Sequence, residues 1–185
     1  MLLRILFLPL FLLTALSGLA ADTPEAVVQR QLDAMKAGDW VKFTGDMHGP
    51  ALAEFQGSLV SVFQTAPEGG PREQMLKAFF GNKTIAELTA ATPSAFFGMF
   101  MNGLSQTNPI IKQGMAGAEA QILGHIDEGP DKTHVLMRMT LPLGEGKVTK
   151  MDVTSLQREG DTWKALLKGD MQAVVTNLTR MLQSK

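Results

Sequence analysis

Apolar residues recur at helical spacing through the first half of this chain and at a spacing of two through most of the second. Val28, Leu32 and Met35 share one side of a helix that Asp22 and Thr23 cap, that Pro24 opens and that Gly38 stops, so the pattern predicts a helix over Pro24 to Ala37. Asp39 caps a short second helix with Trp40, Phe43 and Met47, and Gly49 and Pro50 start a third whose stripe is Leu52, Phe55, Leu59, Val62 and Phe63. Residues 65–72 read as a loop from their Gly and Pro content, after which Met75, Leu76, Phe79 and Phe80 resume helical spacing until Gly81. Thr84 and Glu87 fit a capping box, and Thr92 with Pro93 opens a helix that runs to Leu104. The glycines of residues 113–118 read as loop.

From Ala118 the period becomes two. Four strands are expected, at Ala118 to Asp127, Thr133 to Leu141, Lys147 to Arg158 and Thr162 to Lys168, joined by turns short enough to make neighbours antiparallel. Val174, Val175, Leu178 and Met181 then mark a closing helix, Met171 to Leu182. Helices ahead of a sheet define an α+β domain over residues 21–185, with N-terminal helices packed on about four antiparallel strands and a C-terminal helix.

Alternation also assigns strand faces. Ile122 and Ile126 on the first strand, Val135, Met137, Met139 and Leu141 on the second, Met151 and Val153 on the third, and Trp163 and Ala165 on the fourth are expected inside. His125, His134, Arg138, Lys150, Asp152 and Thr154 are expected outside, provided no bulge inverts a strand.

The stretch S-A-F-F-G-M-F-M-N-G, residues 94–103, carries three phenylalanines and two methionines without a charge. Phe96, Phe100 and Leu104 form one stripe, with Phe97 and Met101 beside it. At about 18 Å a helix of this length is too short to span a bilayer. Core, pocket wall and exposed docking surface remain open for it.

The first 20 residues change the compartment. One arginine precedes an apolar run that ends in small residues, which is the layout of a secretory signal peptide cut after Ala20 or, alternatively, Ala21, an uncleaved anchor being the rival. The chain has no cysteine, which excludes both a lipid-bearing cysteine and disulfides, so export to the periplasm or the outside leaves stability to packing. Loss of Arg4 from 17 basic residues against 18 acidic ones moves the net charge from −1 to about −2, which offers nothing to nucleic acid.

The opening P-E-A-V-V-Q-R-Q-L-D-A-M-K-A-G-D-W-V-K-F-T-G-D-M-H and the closing V-T-S-L-Q-R-E-G-D-T-W-K-A-L-L-K-G-D-M resemble the two ends of nuclear transport factor 2-like domains. The resemblance implies a curved sheet wrapped around helices into a cone, in which many members hold a small molecule while others bind proteins. The strand hairpin often found before the family's third helix is replaced here by helical signals over residues 50–105. Enzymes of this fold resembling ketosteroid isomerase use an aspartate base and a tyrosine or acidic donor, and since this chain has no tyrosine that donor would have to be another residue.

Candidate chemistry is sparse. If Asp127 faces Lys132, His125 lies across from His134, but two imidazoles lack the further ligands that zinc needs, so neither metal nor cofactor is expected. No serine or cysteine sits in a recognisable nucleophile motif. The expected function is therefore a non-catalytic exported binding domain, taking a small apolar molecule within the cone or a protein partner on the sheet, where a second copy could also dock. The expected pocket lining is Trp40, Phe97, Phe100, Met101, Met137, Met139, Met151 and Trp163, although a methionine-rich face also reads as filled core. The alternative is an isomerase- or hydrolase-type enzyme with Asp46, His48 or Asp152 as base. A third reading is a membrane-surface protein docked through the Phe/Met stretch.

Overall fold

The computed structural model describes residues 22–143 and 146–183; the expected signal peptide lies outside the described residues. Thr23 caps α1 (Pro24–Ala37) by accepting from the Ala26 amide, and Gly38 ends it in the left-handed region at φ 66°, its N–H reaching Ala34 and Met35 carbonyls. Asp39 caps α2 (Trp40–Gly45), and α3 (Gly49–Thr65) follows. Next come α4 (Pro71–Phe80), α5 (Ile85–Ala90), with both bonds of the Thr84–Glu87 capping box, and α6 (Pro93–Thr107), capped by Thr92. Residues 113–116, read above as loop, belong to α7 (Pro109–Ala116). The Asn108 side chain accepts from the Ile110 and Ile111 amides and Pro109 fills the first turn, so a cap lies where only glycines had been weighed.

Four antiparallel strands follow in the order β1 (Glu119–Asp127), β2 (Lys132–Leu143), β3 (Gly146–Glu159) and β4 (Thr162–Ala165), and α8 (Gly169–Gln183) closes the chain. The α+β class holds: helices first, an antiparallel sheet second, a helix last. Helices also fill the region between residues 50 and 105.

The core has two parts. Between α3, α4 and α6, Phe100 packs against Phe55, Phe79 and Phe80 at centroid distances of 5.4, 5.3 and 6.2 Å, and Phe96 against Phe80 at 5.0 Å. Against the sheet, Val135, Met137, Met139 and Leu156 are buried, and α1 and α7 pack on β2. Gly103 allows the close approach of α6 to α4, because a Cβ there would stand 2.5 Å from Phe79 Cα.

Two strand faces differ from expectation. A bulge lies between Ile122 and Gly124, so that Gly124 faces Leu136, His125 faces Val135 and Ile126 faces His134. His125 and His134 are therefore not opposite one another, and Ile126, expected inside, is 68% exposed. On β3 the phase is reversed throughout: Met151 and Val153 are 51% and 46% exposed, while Lys150, Asp152 and Thr154 pair with inward-facing Met139, Met137 and Val135. The cause is Leu156, which is fully buried opposite Thr133 and Ala165. Counting back in twos from Leu156 puts Thr154, Asp152 and Lys150 on the helix-facing side.

Candidate functional site

A cavity of about 450 Å³ opens between the helices and the inner sheet face. Helix α1 supplies Val28, Gln31, Leu32 and Met35, which share one face because they follow i, i+3, i+4, i+7 spacing. Phe97 and Met101, one turn apart, come from α6, and Met137, Met139 and Leu141, alternating, from β2. Ile110, Ile111 and Met115 come from α7, which buries none of its residues completely. The volume falls in the roughly 300–1,000 Å³ range of small-molecule sites, and the walls are mostly apolar, as such sites are.

Most of the polar groups lie on the β3 side. Lys150, Asp152 and Thr154 project from the strand, and Lys168, in the segment between β4 and α8, reaches across to Asp152. Lys168 Nζ donates to Asp152 Oδ2 at 2.7 Å, the Val153 amide donates to Asp152 Oδ1 at 2.9 Å, and Lys150 Nζ lies 3.9 Å from Oδ2. Burial works to raise the Asp152 carboxyl, but the Lys168 hydrogen bond and the charges of Lys168 and Lys150 outweigh it and hold the group below the ordinary carboxylate value. Asp152 is thus ionised near neutral pH with both oxygens engaged, a poor arrangement for a general base. Gln31 donates to Met47 Sδ at 3.0 Å, a weak acceptor.

Of the residues read from the sequence as pocket lining, Phe97, Met101, Met137 and Met139 border this cavity. Trp40 does not: it is buried with its ring edge on Phe43 at 5.6 Å, and Phe43, stacked on Phe97 at 6.0 Å, borders the space instead. Phe100 is enclosed by the phenylalanine cluster. Met151 lies on the outer sheet face because of the β3 phase, and Trp163 packs under the Arg158 guanidinium, 4.4 Å from its ring. The Phe/Met helix is therefore divided: Phe96 and Phe100 are core, Phe97 and Met101 are wall. All four are buried, so the exposed docking patch is not formed.

The three carboxylate and imidazole candidates separate. Asp152 enters the cavity. Asp46 accepts from Arg30 through both oxygens, at 3.0 and 2.9 Å, away from it. His48 precedes α3 and donates its backbone N–H to the Ala165 carbonyl, outside the lining. His125 pairs with Glu25 of α1, which raises the imidazole and lowers the carboxyl. His134 bridges Ser155 Oγ at 2.9 Å and Glu128 Oε2 at 2.6 Å. Among the described residues no three His, Asp or Glu side chains gather as metal ligands, and no helix is long and apolar enough to cross a membrane.

Sequence reasoning missed Phe43, Gln31, Ile110, Ile111, Lys150 and Lys168 as lining. Phe43 and Met35 stood in the helical stripes already read, and Asn108 with Pro109 announced the helix that carries the isoleucines. Nothing local pointed to Lys168, whose role depends on where the chain returns after β4.

No family model matches the chain, and no curated protein matches it. Among solved structures it is similar to a nuclear transport factor 2-like protein of unknown function from Shewanella oneidensis MR-1, with 11% identity over 75% of this chain and 88% of that one, at a TM-score of 0.38. No residue's role is carried over from it.

Proposed function

We propose that this protein is an exported, non-catalytic binding domain that holds a small apolar molecule between α1, α6, α7 and the sheet. The observation that carries the reading is the cavity of about 450 Å³ with its apolar walls. Phe97, Met101, Met137 and Met139 are buried core residues that also form its inner wall. The engaged Asp152 carboxylate and the lack of any tyrosine weigh against the enzyme alternative. Export rests on the N-terminal leader pattern alone.

Purified protein should carry its ligand through gentle isolation, to be seen by native mass spectrometry and identified after organic extraction. A protein that is free of small molecules and that does not bind the neutral fluorophore N-phenyl-1-naphthylamine would refute the proposal. A second reading, a protein partner on the outer sheet face, draws on its exposed Met151, Val153 and Ile126. A co-purifying protein released by Met151→Lys and Val153→Lys, with the cavity unoccupied in the same preparation, would favour it.

A further inference from the structure

The charged groups along the cavity have unequal bonding capacity left. Asp152 has its Oδ2 engaged by Lys168 and its Oδ1 by the Val153 amide. Lys168 spends one of three ammonium hydrogens on that bond, and Lys150, at 3.9 Å, is beyond hydrogen-bond reach of the same oxygen. The remaining charged lining residue, Asp170, lies in the first turn of α8, where its charge complements the free amides of the helix start, and both lysines turn to Asp152 instead. Two ammonium groups therefore share one carboxylate whose oxygens are already bonded. The two lysines and two aspartates of the lining balance in charge, but unspent ammonium hydrogens remain beside an apolar space, and the matching head group is a hydrogen-bond acceptor.

Resting on the binding reading above, we infer that the cavity takes a single-chain fatty acid, with its hydrocarbon among Phe97, Met101, Met137 and Met139 and its carboxylate at Lys150 and Lys168. A carboxylate accepts from ammonium groups in charge-assisted hydrogen bonds, which are stronger than the neutral bonds an alcohol makes there. Methionine walls, unbranched and adaptable, accommodate a flexible chain. The space suits one small ligand rather than a two-chain lipid.

The test uses the purified protein, stripped of bound lipid over a hydrophobic resin and loaded with N-phenyl-1-naphthylamine. Dodecanoate, dodecanol and dodecylammonium then compete for the probe at neutral pH below their micelle concentrations. Dodecanoate is expected to compete about tenfold better than dodecanol, as two charge-assisted bonds allow, with dodecylammonium weakest. Tetradecanoate is expected to exceed dodecanoate by roughly tenfold, from the burial of two more methylenes. Lys150→Met, at an exposed position, should shrink the gap between acid and alcohol, and Lys168→Gln should do the same. Equal competition by acid and alcohol, or a preference for the amine, overturns the inference and leaves the binding domain standing. Failure of the probe and of every competitor to bind overturns both.

Discussion

Gly103 and Gly57 both lie inside helices, and the structure assigns opposite signs to the same substitution at the two sites. A Cβ at Gly57 of α3 meets nothing within 4 Å, so Gly57→Ala should gain the helix propensity of alanine over glycine, about 1 kcal/mol. A Cβ at Gly103 of α6 would stand 2.5 Å from Phe79 Cα, 2.6 Å from its carbonyl carbon and closer still to its oxygen. These are backbone atoms of α4, which cannot rotate aside, so the propensity gain is opposed by an overpacking term of about 1–3 kcal/mol. The two variants should differ by about that term. At roughly 2–4 °C per kcal/mol for a chain of this size, their melting temperatures should separate by about 2 to 12 °C. Urea titrations followed by tryptophan fluorescence, together with thermal scans by circular dichroism, measure the difference. The Gly103→Ala variant should also bind N-phenyl-1-naphthylamine less well than wild type, because the contact with α4 orients α6 and so aims Phe97 and Met101 at the cavity. A Gly103→Ala protein stabilised as much as Gly57→Ala would refute the close approach of α4 and α6.

Phe100→Ala and Phe97→Ala should part company in function: Phe100→Ala is expected to lose about 3–5 kcal/mol in urea melts with little change in probe affinity per folded molecule, whereas Phe97→Ala alters probe affinity because it enlarges the cavity. Gln56 donates to the Leu88 and Ala91 carbonyls at 2.8 and 2.9 Å, so Gln56→Leu strands both and should cost about 1–3 kcal/mol in the same melts. The His125–Glu25 pair predicts a pH dependence. His125 is raised, so its contribution is complete below the ordinary imidazole value of 6.5 and fades as pH climbs through the raised value, while Glu25 is lowered and contributes fully above 4.5, fading as pH falls through its lowered value. The stability difference between wild type and His125→Gln should therefore be greatest between those two values and shrink toward alkaline pH; a constant difference across a pH series of melts would contradict the pair.

Local signals carried much of the fold. The Thr23 cap, Pro24 and Gly38 bounded α1 at the residues where the structure starts and stops it, and the Thr84–Glu87 box opened α5. The change of period near Ala118 located the sheet, since β1 starts at Glu119. Each of these depends on residues within a turn or two of one another, which is the range over which sequence acts directly. Gly124 was a legible hint of the β1 bulge, because a glycine inside a strand, here at φ 136°, is where an extra residue is easily placed.

The site was less legible. Alternation decides a strand's faces when one phase alone is apolar, and β3 has Met151 and Val153 in one phase and Leu156 in the other. Burial of Leu156 between Thr133 and Ala165, which lie 23 and 9 residues away, settled the choice and turned Asp152 and Lys150 toward the helices. Lys168 reached Asp152 because the chain returns beside β3 after β4. The sequence by itself determined the elements, their order and the apolar stripes that needed covering. Only the tertiary structure decided which face of β3 met the helices and which charges met one another, because strand register and cavity walls are set by cross-chain packing that no short stretch encodes.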